Sequence, residues 1–206
     1  NFEYNYNEPI LKNLNFEIKE NQTVGLVGPT GSGKTTIASL IHRFYEIKNG
    51  NILIDDQDIQ KVTQSSLSEN ISMVLQDPII FSGTVEDNIK YKAIATREEV
   101  IEASKVVGSH DFIMTLPKGY DTILEESGAN ISIGQRQLLS FARALLLDSR
   151  IFILDEATSY IDSYTERQIQ KALDEVLKNR TGIIIAHRLS TIKNADKIIV
   201  LDKGEI

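Results

Sequence analysis

Eight consecutive residues, Gly28-Pro29-Thr30-Gly31-Ser32-Gly33-Lys34-Thr35, constrain this chain more than any other feature. They form a complete G-x-x-x-x-G-K-T phosphate loop. The apolar run Val24-Gly25-Leu26-Val27 precedes the loop and Thr36-Ile37-Ala38-Ser39-Leu40-Ile41 follows it, so the order is strand, glycine loop, helix. Glycines let main-chain N–H groups turn inward around phosphate oxygens. The start of the helix behind them adds unpaired donors and a partial positive charge. Lys34 is placed to reach the β- and γ-phosphates of a nucleoside triphosphate, and the Thr35 hydroxyl to ligate Mg²⁺.

The rest of the chain must carry whatever the loop powers. With 206 residues there is room for one large or two small lobes around a real core. The net charge of −7 argues against nonspecific nucleic-acid binding, which needs a basic footprint. It also means that the loop's own donors must bind an anionic nucleotide against the average field of the chain. Cysteine is absent, which excludes disulfides and thiolate metal sites and fits a reducing, cytosolic surrounding. No run approaches the ~18–20 apolar residues of a membrane span. The start, Asn1-Phe2-Glu3-Tyr4-Asn5, lacks the basic region and apolar block of a signal peptide. A strand-like beginning and an end at Lys203-Gly204-Glu205-Ile206 read as cut ends, so the expectation is a domain of a longer protein.

Hydrophobic periodicity orders the elements. Leu14, Phe16 and Ile18 alternate with polar neighbours and predict a half-buried strand. Val24–Val27 predicts a strand buried on both faces, and Ile52–Ile54 and Ile71–Leu75 predict two more. Thr96-Arg97-Glu98-Glu99 is a capping box ahead of apolar positions Val100, Ile101, Ala103, Val106 and Val107 at helical spacing. A helix is expected from Ser132 to Leu147, a buried strand at Ile151–Leu154, a helix at Ser163–Leu177, a strand at Gly182–Ile185, a short helix near Ser190–Lys193 and a strand at Lys197–Leu201. The fold class is therefore α/β: a phosphate-loop core with a mixed or parallel sheet, an N-terminal antiparallel β region and a helical subdomain. The core lobe is placed at about 1–84 and 150–206, and the helical subdomain at about 85–149.

Five further places carry candidate chemistry. Ile151-Phe152-Ile153-Leu154-Asp155-Glu156 is a buried strand ending in two acids, at the edge where α/β folds bind ligands. Asp155 is the natural Mg²⁺ partner, and Glu156 can polarise a water aimed at a γ-phosphate. His187 follows the apolar run Ile183–Ala186 and so also sits at a strand end, where a neutral imidazole can donate to a phosphate oxygen. Gln76, after Ile71–Leu75, offers an uncharged amide to metal and water, although spacing alone leaves a simple turn residue open. Ser132 opens a helix and makes a second anion-attracting end, although on spacing alone an ordinary capped helix is the stronger reading. Tyr4 and Tyr6 lie upstream of the loop, where an aromatic ring can stack on a base or pack in a strand. His42 and His110 are given no role.

In order, these pieces are an aromatic, the glycine loop, Gln76, Ser132-Ile133-Gly134-Gln135-Arg136-Gln137, Leu154-Asp155-Glu156-Ala157-Thr158-Ser159 and Ala186-His187-Arg188. Over essentially its whole length the chain resembles the nucleotide-binding domain of an ATP-binding cassette (ABC) transporter. The segments running from Gln76 to Ile89 and from Ala186 to Ile192 are similar to the exporter type. The resemblance implies ATP and Mg²⁺ as ligands and assigns roles. Tyr4, in F-x-Y spacing, stacks on adenine. Gly28, Pro29, Thr30, Gly31, Ser32, Gly33, Lys34, Thr35 and Thr36 hold the phosphates. Thr35, Gln76 and Asp155 serve the metal, and Gln76 also senses the attacking water, its following loop touching the membrane domain. Glu156 is the general base and His187 the γ-phosphate switch. Ser132, Gly134 and Gln135 form a signature that binds ATP across a dimer interface, and Asp162 links the two sites. The implied partners are a second ABC ATPase domain, in an ATP-dependent pair, and transmembrane domains, with the chain on the cytoplasmic side of the cell membrane and no nucleic acid bound. The transported substrate is chosen by the membrane-spanning part.

Three positions depart from the family's pattern. Ile133 stands where the signature usually has glycine, Ser127 where exporters often carry arginine, and Tyr160 where the segment Ser159-Tyr160-Ile161-Asp162 usually has a small residue. Altered signatures occur in exporters built from two different chains, so both a homodimer and a heterodimer stay open. The rival classes fit less well. DNA-maintenance ATPases of this superfamily insert coiled coils or zinc modules between loop and signature, and this interval holds neither heptads nor cysteine. Translation-associated members carry two cassettes in tandem. Small GTPases share only the glycine loop, and no N-K-x-D segment is present.

Overall fold

Runs of consecutive apolar residues bounded by polar turns build the centre of this molecule. The computed structural model describes residues 1–155, 163–186 and 189–206. A short antiparallel pair comes first, β1 (Phe2–Glu3) with β2 (Pro9–Leu11). Strand β3 (Thr23–Val27) leads through the glycine loop into helix α1 (Lys34–Ile41). A hairpin of β4 (Leu53–Ile54) and β5 (Gln57–Asp58) follows. It turns at Asp55 and Asp56, with φ of 48° and 61°, the paired left-handed residues a two-residue hairpin loop requires. Helix α2 (Gln64–Asn70) runs into strand β6 (Ile71–Val74).

A mainly helical stretch then holds β7 (Gly83–Thr84), α3 (Val85–Lys90), α4 (Arg97–Val106), α5 (His110–Thr115), β8 (Ile123–Leu124) and α6 (Ile133–Leu146). The chain closes with β9 (Ile151–Asp155), α7 (Ser163–Leu177), β10 (Thr181–Ile185), α8 (Leu189–Ile192) and β11 (Lys197–Val200).

Among the described residues the central sheet has five parallel strands in the order β11-β3-β10-β9-β6. Successive side chains of a strand point to opposite faces, and here the two faces feed two separate cores. Phe152, Leu154 and Ile184 pack with Leu138, Phe141, Leu173 and Val176 of α6 and α7. Ile153, Ile183 and Ile185 pack with Val24, Leu26, Ile37 and Leu40 on the α1 side. The result is a three-layer α/β/α sandwich, in which each fully buried aliphatic side chain contributes about 1.5–3 kcal/mol. In the helical stretch, Thr96 accepts from the Glu99 N–H at 3.2 Å while the Glu99 carboxylate accepts from the Thr96 N–H at 2.7 Å, the expected capping box. Thr84 and Asp87 form another. Val106, expected inward, is exposed.

A second expectation fails at the N-terminal side. Residues 14–19 form no strand. Leu14, Phe16 and Ile18 still alternate with exposed neighbours and pack against the α1-side core. An extended backbone supplies the alternation by itself; a strand also needs a neighbouring ladder, and this segment has none.

Candidate functional site

The parallel register lines up the C-terminal ends of four strands. Val74 of β6 lies beside Leu154 of β9, Asp155 beside Ile185 of β10, and Ile185 beside Leu26 of β3. Gln76, Asp155, Ala186 and Gly28 therefore follow one another along a single edge of the sheet. Glu156 comes directly after Asp155 and His187 directly after Ala186 in sequence. Both lie outside the described residues, as does Asp162.

The loop at this edge has the backbone its glycines permit. Gly28 has φ of 152°, and a Cβ there would lie 2.0 Å from the Leu201 carbonyl oxygen, so the close pass of the chain after β11 requires glycine. Gly33 has φ of 106° and would drive a Cβ to 2.4 Å from Leu11 Cδ2. It precedes α1 in a left-handed conformation, with no side chain capping the helix and no acidic residue in its first turn. The first N–H groups of α1 are thus left for an anion. A Cβ on Gly31 would meet nothing within 4 Å, so the outer side of the loop is open.

Lys34 is only 5% exposed. Its ammonium donates to the Gly28 and Pro29 carbonyls at 2.9 Å each and lies 3.5 Å from Ser32 Oγ. Burial lowers its pKa from the ordinary lysine value, and the Asp155 carboxylate pulls it back up. That opposition places the buried cation and the strand-end acid, 6% exposed, within one electrostatic site. Thr35 is exposed at the start of α1, and Thr36 and Ser32 are buried in the loop and first turn. Pro29 and Thr30 sit in the loop between β3 and α1. Gln76 is exposed just past β6.

The donor set at this edge is a hydroxyl, a carboxylate and an amide. All are hard oxygen donors of the kind Mg²⁺ accepts when nucleotide phosphates and water complete its shell. Among the described residues no group of three His, Asp or Glu forms a cluster that could hold a metal by itself. The donors fit a metal that arrives with phosphate.

Tyr4 stands beside the loop. Its hydroxyl donates to Thr36 Oγ1 at 3.2 Å, and its ring is 47% exposed. Phe2 and Tyr45 meet that ring nearly at right angles, at centroid distances of 4.9 and 5.0 Å and interplanar angles of 87° and 80°. Tyr6 is almost fully exposed.

The signature residues form a separate group. Ser132 caps α6, accepting from the Gln135 N–H at 3.2 Å, while Gln135 Oε1 accepts from the Ser132 N–H at 2.9 Å. Its hydroxyl proton is still available to an acceptor. Gly134 is buried and Ile133 half-exposed. Arg136 donates to the Ser127 carbonyl at 2.6 Å, which ties the preceding loop to this helix. No hydrogen bond among the described residues joins Ser132, Gly134 or Gln135 to the loop 28–36. The chain thus presents two candidate helix ends, at the starts of α1 and α6, on different elements.

Two residues with tertiary roles carry no motif. Tyr45 follows α1 in Phe44-Tyr45 and only the fold brings it to Tyr4. Arg143, in the last turn of α6, reaches back to the carbonyls of Ile79, in the loop after Gln76, and of Asn88. His110, given no role, shares a 2.9 Å hydrogen bond with the Tyr120 hydroxyl.

Comparison with known proteins bears on this arrangement. The sequence model of the ABC transporter family matches residues 11–159. The ABC transporter ATP-binding protein YfiC of Bacillus subtilis (strain 168) is 50% identical over 206 residues, covering 100% of this chain and 34% of that protein. The ATP-dependent lipid A-core flippase of Syntrophus aciditrophicus (strain SB) is 49% identical over 208 residues, covering 100% of this chain and 35% of the flippase. Among solved structures, a bacterial Atm1-family ABC exporter with ATP bound superposes with a TM-score of 0.92 at 45% identity, covering 100% of this chain and 36% of the exporter chain. The chain spans about a third of the length of each of these relatives.

Proposed function

This chain belongs to the ABC transporter family as one of its ATP-hydrolysing domains, and from that membership we propose that it powers export across a membrane by pairing with a second such domain around ATP. The observation that carries the reading is the buried Lys34 ammonium, held by its own glycine loop and electrostatically joined to Asp155 at the adjoining strand end. A desolvated cation beside uncapped N–H groups is matched by a polyphosphate and by little else.

In this reading Gly28–Thr36 wrap the phosphates, and Tyr4 stacks on the adenine. Thr35, Asp155 and Gln76 hold Mg²⁺, which neutralises phosphate charge when bound. Glu156 takes the proton of the attacking water, Gln76 orients that water, and His187 donates to the γ-phosphate. Ser132, Gly134 and Gln135 close the other side of the ATP from the partner domain, and Asp162 links the two sites. The division into a core lobe (1–84 and 150–206) and a helical subdomain (85–149) is part of the same proposal, since it lets signature and glycine loop move relative to each other. ATP then acts as interface glue, and its hydrolysis releases the pair and shifts membrane-spanning partners between their two states. The domain works on the cytoplasmic side of the cell membrane. Among the described residues no helix is long and apolar enough to cross one, so the spanning part is supplied by other residues. The relatives named for lipid flipping and for export support this placement.

The test is Glu156→Gln. Removing a general base slows a reaction by about 10²- to 10⁴-fold, while ATP binding remains. ATP should therefore trap a dimer that light scattering detects. Turnover equal to the parent would remove Glu156 from that role, and failure to dimerise with ATP would remove the paired mechanism.

A further inference from the structure

The Tyr4 ring is held by three groups drawn from different parts of the chain. Its hydroxyl is tied to Thr36 in the first turn of α1. Phe2, buried in the α1-side core, meets it edge-on from β1. Tyr45, from just beyond the other end of α1, meets it edge-on as well. Phe2 and Tyr45 also touch each other, with centroids 6.0 Å apart, so the three rings form a closed set.

The backbone leading into Tyr45, whose ring is 47% exposed, is held by its two preceding residues. The Phe44 N–H bonds to the Ser39 carbonyl at 2.9 Å, and Arg43 reaches the Ile59 and Val62 carbonyls at 2.7 Å each. One helix of eight residues, about 12 Å long, therefore carries the phosphate cradle at its start and the brace of the aromatic platform just past its end.

We infer that Tyr45 is a positioning residue for the nucleobase: together with Phe2 it fixes the angle of the Tyr4 ring, so that the stacking face stands ready at a set distance from the phosphate loop. The inference rests on the reading of Tyr4 as the base platform. A free tyrosine ring has two side-chain torsions to lose when a base stacks on it. A ring already held at its hydroxyl and against two neighbouring rings has lost much of that freedom before the nucleotide arrives. With both neighbours in place the Tyr4 ring is still 47% exposed, which leaves ring surface for a planar partner. The part of affinity that Tyr45 controls is consequently the part that depends on the base. Phosphate binding, which belongs to Lys34 and the loop, does not pass through it.

The experiment compares ATP with inorganic tripolyphosphate, which has the phosphates and no base. Binding of each is measured by calorimetry on the whole protein, in chelator so that hydrolysis does not intrude. The variants are Tyr45→Ala, Tyr45→Phe and Tyr4→Ala. Tyr45→Ala should weaken ATP by about three- to tenfold, the range of one aromatic pair, and leave tripolyphosphate unchanged. Tyr45→Phe should restore ATP binding, since the ring and not the hydroxyl makes the contact. An unchanged ATP affinity in Tyr45→Ala overturns the inference, and so does equal weakening of both ligands, which marks a general loss of structure. Tyr4→Ala separates the inference from the reading beneath it. If Tyr4→Ala lowers the ATP-to-tripolyphosphate preference and Tyr45→Ala does not, only the positioning role falls. If Tyr4→Ala leaves that preference intact, the platform itself falls and the inference with it.

Discussion

Lys34 is a cation taken out of water before any phosphate is counted. Its hydrogen bonds to Gly28 and Pro29 satisfy the ammonium geometrically, yet burial still lowers its pKa and only Asp155 opposes that. A phosphate supplies the compensating charge, and charge-assisted bonds of this kind contribute about 1.5–3 kcal/mol. Lys34→Ala should therefore weaken ATP binding by roughly tenfold or more, and calorimetry reads that directly. An unchanged affinity would mean that the nucleotide binds elsewhere. A second residue shows the same physics without a ligand. His42, just past the end of α1, stacks on Phe44 with centroids 4.6 Å apart, and its buried Nδ1 has no partner among the described residues. Burial lowers its pKa below the ordinary 6.5; its own backbone partly opposes that, and the nearby Lys92 charge adds to the lowering. Protonation then favours the unfolded chain, so the stability His42 confers is complete above pH 6.5 and declines as pH falls through that value. His42→Phe keeps the stacked ring and removes the titration. Its melting temperature should fall less than the parent's between about pH 7.5 and about pH 5.5, and parallel declines would show that His42 does not control this limb.

At the scale of elements, α6 is the connector. Its first residue follows the signature serine, and three turns on Arg143 leaves the helix to grip another segment. The guanidinium donates to the Asn88 carbonyl at 2.8 Å and to the Ile79 carbonyl at 3.2 and 3.3 Å. It also lies over the rings of Phe81 and Tyr91, at 5.4 and 5.1 Å, and those rings stack at 5.2 Å and 11°. Burial pushes its pKa down, and no carboxylate among the described residues forms an ion pair with it. Carbonyls and ring faces alone compensate the charge. Arg143→Met keeps the bulk and loses the bonds, at a cost of about 2 kcal/mol to folding stability. Arg143→Lys should recover less than half of that, because an ammonium cannot fork to two carbonyls while lying flat on two rings. Urea denaturation measures both, and a lysine variant as stable as the parent would show that charge alone suffices. None of this was legible in the sequence, where Arg143 is one residue of an amphipathic helix. What was legible there depends on short-range rules: the glycine loop, the caps at Thr96 and Ser132, and the apolar strands that end in chemistry. Leu14, Phe16 and Ile18 mark the limit of such rules. Their alternation forecasts which side chains are buried, since that follows from extended backbone, and misforecasts a strand, since a ladder depends on what lies alongside. The Tyr4, Phe2 and Tyr45 set is likewise invisible in one dimension, because its members meet only once β1 and α1 have been packed together.

For the molecule as a whole, the two groups that the proposed mechanism brings to one ATP lie on separate elements of the same chain. The loop 28–36 lies at the sheet edge and Ser132 at the head of α6, and in the proposed mechanism a partner's signature completes each site. Ile133 bears on how well that partner fits. It opens α6 half-exposed, beside Ser132 and at the surface a second domain would approach. On the proposed pairing, a β-branched side chain there would hold an incoming phosphate away from the helix's first N–H groups, whereas glycine would admit it. Two opposed effects follow from Ile133→Gly. Glycine in the first turn should lower folding stability by about 0.5–1 kcal/mol, visible as a lower melting temperature without nucleotide. The gain of one N–H bond to phosphate, about 1.5–3 kcal/mol when charge-assisted, should strengthen ATP-dependent pairing by roughly tenfold or more. In a Glu156→Gln background, where hydrolysis does not dissolve the complex, sedimentation at graded protein concentration measures that pairing. A tighter dimer from a less stable monomer would identify Ile133 as the obstacle between identical copies, and would point to a chain with a glycine signature as the preferred partner. Pairing that stays unchanged while stability drops would mean that Ile133 faces away from the shared nucleotide, and identical copies would then suffice.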